Sequence, residues 1–253
     1  MTLCFNTFSV VARCPRSGEL GVAISTALPA VGAYCVYIEP DVGAAATQSW
    51  TNPYLALDAL AALAEGQAPA AALQEVLRAD VEAELRQVGL VDAIGRVEAW
   101  TGGDCTEWAG HILGDGFAVQ GNMLVSARTI EAMAAVMEAT AQRDLAQRLV
   151  DALIAGQQAG GDKRGKQSAA VKVYGSEPCP LTDLRVDDHP EPVAELARLQ
   201  ELAKVQLQPF LDSLPRRRGS AAVPLSEAAK AMIMLPPQER PKAAARKPVE
   251  SGG

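Results

Sequence analysis

Thr7-Phe8-Ser9-Val10-Val11-Ala12-Arg13, closed by the breaker Cys14-Pro15-Arg16-Ser17-Gly18 and followed by Glu19-Leu20-Gly21-Val22-Ala23-Ile24-Ser25, reads as a β-hairpin at the head of the chain. Working outward, Val31 to Ile38 is expected as a third strand. Val42 to Gln48 is expected as a buried strand whose small residues, Gly43 to Ala46, admit a close neighbour. Asn52-Pro53 supplies a cap and a first-turn proline for a helix running through Leu55, Leu57, Leu60 and Leu63 to Gly66. A second helix runs from Pro69 to about Ala79, and Gln87 to Asp92 with Arg96 to Thr101 form a second hairpin. The polar, Gly-rich stretch Gly102 to His111 reads as a loop before a strand over Phe117 to Leu124. Helices are expected over Ser126 to Ala139 and Arg143 to Ala155, and strands over Gln167 to Tyr174 and Leu184 to Val186. Asp187-Asp188-His189 then caps a last helix from Pro190. Hairpins grouped this way predict an α+β fold of mainly antiparallel sheet, not a doubly wound parallel one.

At 253 residues and 49% hydrophobic, the chain is long enough for one well-buried domain, and 4% aromatic content predicts layers packed on small side chains. No run of about 18 apolar residues and no signal-peptide pattern is present, so a cytoplasmic protein with no membrane contact is expected. Five scattered cysteines without a CxxC pair, and only His111 and His189, argue against a disulfide framework, a metal site or a cofactor bound through one. Each cysteine reads as a small buried hydrophobe. From Pro215 onward eight lysines and arginines stand against three glutamates, a net of +5, which with −7 overall leaves −12 on the rest. That acidic body excludes nucleic-acid binding through its general field. The expected division is an extension over 1–6, a domain over 7–207 and a flexible, basic, Pro/Ala-rich tail over 208–253. Leu225 to Leu235 within the tail is a candidate short helix for a protein partner, and a homodimer is the default assembly.

Six motifs stand in order: the Thr7 strand; Gly43-Ala44-Ala45-Ala46-Thr47-Gln48 with Asn52-Pro53; Trp108-Ala109-Gly110-His111; Val119-Gln120-Gly121-Asn122-Met123-Leu124; Gly160 to Ala170; and Asp183-Leu184-Arg185-Val186-Asp187-Asp188-His189-Pro190. In these the chain, over about Thr7 to Leu202, resembles the Ntn-hydrolase-like family of bacterial and archaeal proteins classed as domain of unknown function 1028. The resemblance implies a four-layer αββα sandwich of the N-terminal nucleophile type. It also implies hydrolysis of an amide bond in a small or peptide-like substrate, with the first residue of the mature chain as nucleophile.

A hydroxyl residue at the head of a core strand suits that chemistry, because a free α-amine with a pKa of about 7.7–8.0 takes the proton from its own side-chain oxygen. Thr7 is the matching residue, behind Met1-Thr2-Leu3-Cys4-Phe5-Asn6. Its amide nitrogen is no base, so the extension must go, by self-cleavage at Asn6-Thr7, by a protease, or through a different translation start; Thr2 and Cys4 rank behind it. Asn122, at a polar break in an apolar strand, is the candidate oxyanion donor. Thr47 and Gln48 are candidates to orient the substrate, and His111 to bind it or shuttle a proton. Arg164, with Lys163 and Lys166, is the candidate partner for a substrate carboxylate. The competing reading is a catalytically silent ligand-binding or scaffold protein whose nucleophile stays blocked and whose basic tail recruits a partner.

Overall fold

The computed structural model describes residues 4–5, 7–217, 223–244 and 246. Thr2, Asn6, Arg218 and the carboxy-terminal residues 247–253 lie outside the described residues, as do the expectations that rest on them. One sheet has five strands: β1 (Cys4–Phe5), β4 (Val36–Glu39), β5 (Gly43–Trp50), β6 (Arg86–Asp92) and β7 (Val97–Thr101). The other has six: β2 (Thr7–Arg13), β3 (Leu20–Thr26), β8 (Gly110–Gly114), β9 (Phe117–Gly121), β10 (Ser168–Tyr174) and β11 (Thr182–Val186). Every pairing is antiparallel, and β2 sits between β3 and β9 near the middle of the six-stranded order β11-β10-β3-β2-β9-β8.

Eight helices stand among the described residues: α1 (Val31–Tyr34), α2 (Pro53–Ala64), α3 (Pro69–Ala79), α4 (Arg128–Ala139), α5 (Leu145–Gln158), α6 (Pro192–Gln206), α7 (Gln208–Leu211) and α8 (Glu227–Ile233). None is long and apolar enough to cross a membrane. Helices α2 and α3 cover the outer face of the five-stranded sheet, and α4, α5 and α6 cover the outer face of the six-stranded one. Strand alternation fills the three spaces between layers. Phe8, Val10 and Val119 face the helices and meet Met133, Leu149 and Leu153; Val11, Val22 and Ile24 face the other sheet and meet Ala44, Ala46 and Val91; Ala45 and Leu90 pack beneath Leu60 and Leu63 of α2. The small residues of β5 are therefore what lets the two sheets approach.

Three expectations are corrected. Val31 to Ile38 is not one strand: Val31–Tyr34 turns as α1 after Ala30 at φ 58°, and only Val36–Glu39 pairs with β5. Gly110 and His111, read as the end of a loop, open β8 (Gly110–Gly114). The tail is not loose throughout, because Arg246 lies against α5 with its guanidinium 2.7 Å from the buried carboxylate of Asp151.

Helix α2 begins as the sequence predicts. Asn52 Oδ1 accepts the Tyr54 N–H at 3.1 Å, while its Nδ2 donates to Asp80 at 2.9 Å. Asn52→Ala removes both bonds and is expected to lower stability by about 2 kcal/mol, read from urea unfolding midpoints at unchanged slope.

Candidate active site

The inward phase of each central strand is apolar at one end and polar at the other. On the six-stranded sheet Thr7 and Ser9 precede Val11 on β2, Gln120 follows Ala118 on β9, and His111 lies across from Gln120 in register. On the five-stranded sheet Gln48 follows Ala46 on β5, Gln87 pairs with Gln48 from β6, and Thr101 pairs with Gln87 from β7. Thr7, Ser9, Gln48, Gln87, Gln120 and Asn122 are buried completely or almost so. Burying this many amides costs several kcal/mol unless each finds partners, and here they find one another.

Gln87 is the hub. Its Nε2 donates to Gly121 O at 2.8 Å, Gly110 O at 3.1 Å and Thr101 Oγ1 at 2.9 Å. Its Oε1 accepts from Gln48 Nε2 at 2.8 Å and from Asn122 Nδ2 at 2.9 Å. Gln48 Nε2 also donates to Thr7 O at 3.2 Å, and Gln48 Oε1 accepts from Ser9 Oγ at 2.7 Å. Gln120 Nε2 donates to Ala46 O at 3.1 Å and to Ser9 Oγ at 3.3 Å. The backbone of Gly89 lets the Gln120 amide in, since a Cβ there would stand 3.1 Å from Gln120 Oε1.

Thr7 opens β2 at the edge of this layer. Its carbonyl accepts from Gln48 Nε2 and from Asn122 N, the latter at 3.0 Å, while its Oγ1 is buried and has no hydrogen-bond partner. Ahead of it, Cys4 and Phe5 belong to the other sheet, where Cys4 pairs with Trp50 and Phe5 with Ser49. Among the described side chains, buried thiols offer no rival nucleophile between the sheets. Burial pushes the Cys35 thiol up to about 12 and raises that of Cys105, so both stay protonated, and Cys14 packs among the helix-side core residues.

Of the other candidates, Gln48 and Asn122 converge on Thr7, and His111 reaches the same layer from outside through Thr101 Oγ1, 2.8 Å from its Nδ1. Burial lowers the His111 pKa below its ordinary 6.5 against the opposing charge of Glu98, so the ring is neutral at pH 7. The stability this contributes is present above 6.5 and lost as pH falls through the lowered value. His111→Gln is expected to flatten the stability profile between pH 7 and pH 5, measured by thermal melts across that range.

Thr47 is not brought to the layer: it points to the helix side of β5 and donates to Asn52 O at 3.1 Å. Arg164 holds a carboxylate of its own chain, with Nη2 2.7 Å and Nε 3.2 Å from the two oxygens of buried Asp162. Lys163 donates to Glu107 O, and Lys166 pairs with Glu191. Asp188 and His189 do not cap α6; they bond Gln167 Nε2 and Glu191 N. Sequence reasoning missed Ser9, Gln87, Thr101 and Gln120, whose one signal is a polar residue on the inward phase of an apolar strand. A cavity of about 810 Å³ lies elsewhere, between α5, α6 and Ala243, Ala244 and Arg246.

The family model described as "Family of unknown function (DUF1028)" matches residues 7–196. The chain belongs to this family. The match opens on Thr7, and the extension and tail lie outside it. The crystal structure of protein SPO2555 from Silicibacter pomeroyi, described with the same family, is 28% identical, with a TM-score of 0.77 over 83% of this chain and 95% of that one. Anbu (ancestral beta-subunit) from Yersinia bercovieri is 12% identical, with a TM-score of 0.39 over 84% of this chain and 100% of that one. The Anbu (Gly-1) mutant from Hyphomicrobium sp. strain MC1 is also 12% identical, with a TM-score of 0.38 over the same shares. Comparison with curated proteins returns no match.

Proposed function

We propose that the chain is an amidohydrolase of the N-terminal nucleophile type, with the four-layer αββα sandwich its family resemblance implies, and that Thr7 attacks a small or peptide-like amide. The observation that carries this reading is the Thr7 hydroxyl itself. It is fully buried at the head of a central strand, beside the buried amide network, and has no hydrogen-bond partner. A buried hydroxyl of purely structural use is normally hydrogen-bonded.

The chemistry needs the α-amine of Thr7 to be free. Once 1–6 is removed, the amine takes the Oγ proton, Oγ bonds to the substrate carbonyl carbon, and the carbon–nitrogen bond breaks as the amine leaves with that proton. Water then releases the acyl group from the ester and restores the hydroxyl. Asn122 Nδ2 spends one hydrogen on Gln87 and retains a second for the oxyanion. Gln48 fixes the Thr7 backbone, and neutral His111 orients the outer end of the network through Thr101.

One observation favours the silent-nucleophile alternative: the extension is paired into the sheet through Cys4 and Phe5, which suits a chain that keeps it. A β-lactone probe separates the two. The amidohydrolase reading predicts a single acyl adduct on Thr7, located by peptide mass spectrometry and absent from Thr7→Ala. Absence of any adduct on protein whose chain begins at Thr7 would sink it.

A further inference from the structure

The amide network determines what is left over for a ligand. Which end of each amide is nitrogen follows from its partners. Gln87 Nε2 faces two backbone carbonyls, Gly110 O and Gly121 O, so Gln87 Oε1 must face Gln48 and Asn122, and each of those must present nitrogen to it. Asn122 Oδ1 is thereby turned away from Gln87. Gln120 Nε2 is held by Ala46 O, which likewise fixes the direction of Gln120 Oε1. Both oxygens are buried and neither has a hydrogen-bond partner; Gln120 lies in β9 and Asn122 directly follows that strand, and both side chains reach across to the five-stranded sheet. Leaving two such acceptors dry costs about 1–3 kcal/mol each.

The layer is also uncharged. Among the described residues, none of the side-chain hydrogen bonds of Ser9, Gln48, Gln87, Thr101, Gln120 or Asn122 given above goes to an ionised side chain, and His111 at the rim is held neutral. With Thr7 N in amide linkage, an anion entering here would meet two carbonyl oxygens and, among the described residues, no cationic side chain. A neutral group rich in N–H would meet the acceptors it needs.

On these grounds we infer that the layer between the sheets receives a neutral group bearing N–H donors, a primary carboxamide or a ureido group, whose hydrogens go to Asn122 Oδ1 and Gln120 Oε1. This rests on the same site as the proposed hydrolysis and specifies its substrate class: amides that present an uncharged NH or NH2 there, and not a carboxylate.

The test reads binding, not turnover. Crystals of the full chain are soaked with acetamide, with isosteric acetate, or with neither. In solution, the side-chain amide NMR signals of Asn122 and Gln120 are followed through the same titrations in wild-type protein and in Thr7→Ala. The inference predicts acetamide nitrogen within hydrogen-bond reach of both oxygens, saturable shifts in both proteins, and at least a tenfold preference over acetate. Asn122→Ala, checked for folding by its thermal melt, loses at least tenfold in acetamide affinity. Acetate bound as well as acetamide, or water alone on the two oxygens in every soak, overturns it. Turnover of amides without acetamide binding sinks this inference and leaves the Thr7 assignment standing; binding without turnover of any amide does the reverse.

Discussion

Replacing Gln87 with leucine is expected to destabilise the protein by about 4 kcal/mol, a larger effect than any single change to the hydroxyls of the layer. The side chain it removes serves five partners: Gly110 O, Gly121 O, Thr101 Oγ1, Gln48 Nε2 and Asn122 Nδ2. Leucine is close in size but satisfies none of them, and each buried group left without a partner costs about 1–3 kcal/mol. Gln48 keeps its bond to Thr7 O, so the loss is less than five full penalties. Denaturant unfolding measures the difference. A cycle with Thr101→Val tests the mechanism, since the double variant should cost less than the sum of its singles. A loss under about 1 kcal/mol for Gln87→Leu would mean that the network is not what holds the two sheets in register at this end.

The second large effect is expected far from the layer. Asp151 on α5 has a side chain only 2% exposed, and the cation nearest to it is Arg246, whose Nη2 lies 2.7 Å away; Arg143 is 3.9 Å away. Arg246 also donates to Gln200 Oε1 at 2.7 Å and to Gln147 O at 3.4 Å. Arg246→Ala removes the close cation and leaves this buried carboxylate to the Gln147 amide at 3.3 Å and Arg143 at 3.9 Å, which costs about 3 kcal/mol at neutral pH. Pairing it with Asp151→Asn should recover most of that, because the neutral amide needs no cation. If Arg246→Ala changed the melting temperature no more than a surface substitution, the contact of the tail with α5 would carry no stability.

The hairpins were legible because β-branched runs alternate cleanly between Pro and Gly breakers, as in Phe8 to Val11 and Val22 to Ile24. Strand β8 was not, since its glycines look like loop; yet a Cβ on Gly110 would stand 2.6 Å from the Trp108 ring, so glycine is what lets this strand run under the indole. Helix α1 is a single turn, too short for periodicity to show. In the site, Thr7, Gln48 and Asn122 stood out as polar residues at strand ends. Gln87 and Gln120 lie within or beside strands of their own and become a pair of amide anchors only when the two sheets face each other. Arg164 read as a substrate cation because nothing local marks Asp162 as buried. The tail read as loose from its Pro, Ala and Arg content, and the carboxylate that Arg246 meets is 95 residues away in sequence.

The central claim is that Thr7 acts as the first residue of the working chain. The most direct test is the intact mass and amino-terminal sequence of the purified protein, measured beside Thr7→Ala. The account predicts a wild-type chain that begins at Thr7, with the paired residues Cys4 and Phe5 gone from the sheet edge. If self-cleavage is the route, Thr7→Ala keeps all six preceding residues. A wild-type chain that retains those residues in its functional form would contradict the account, because an amide nitrogen at Thr7 cannot serve as the base.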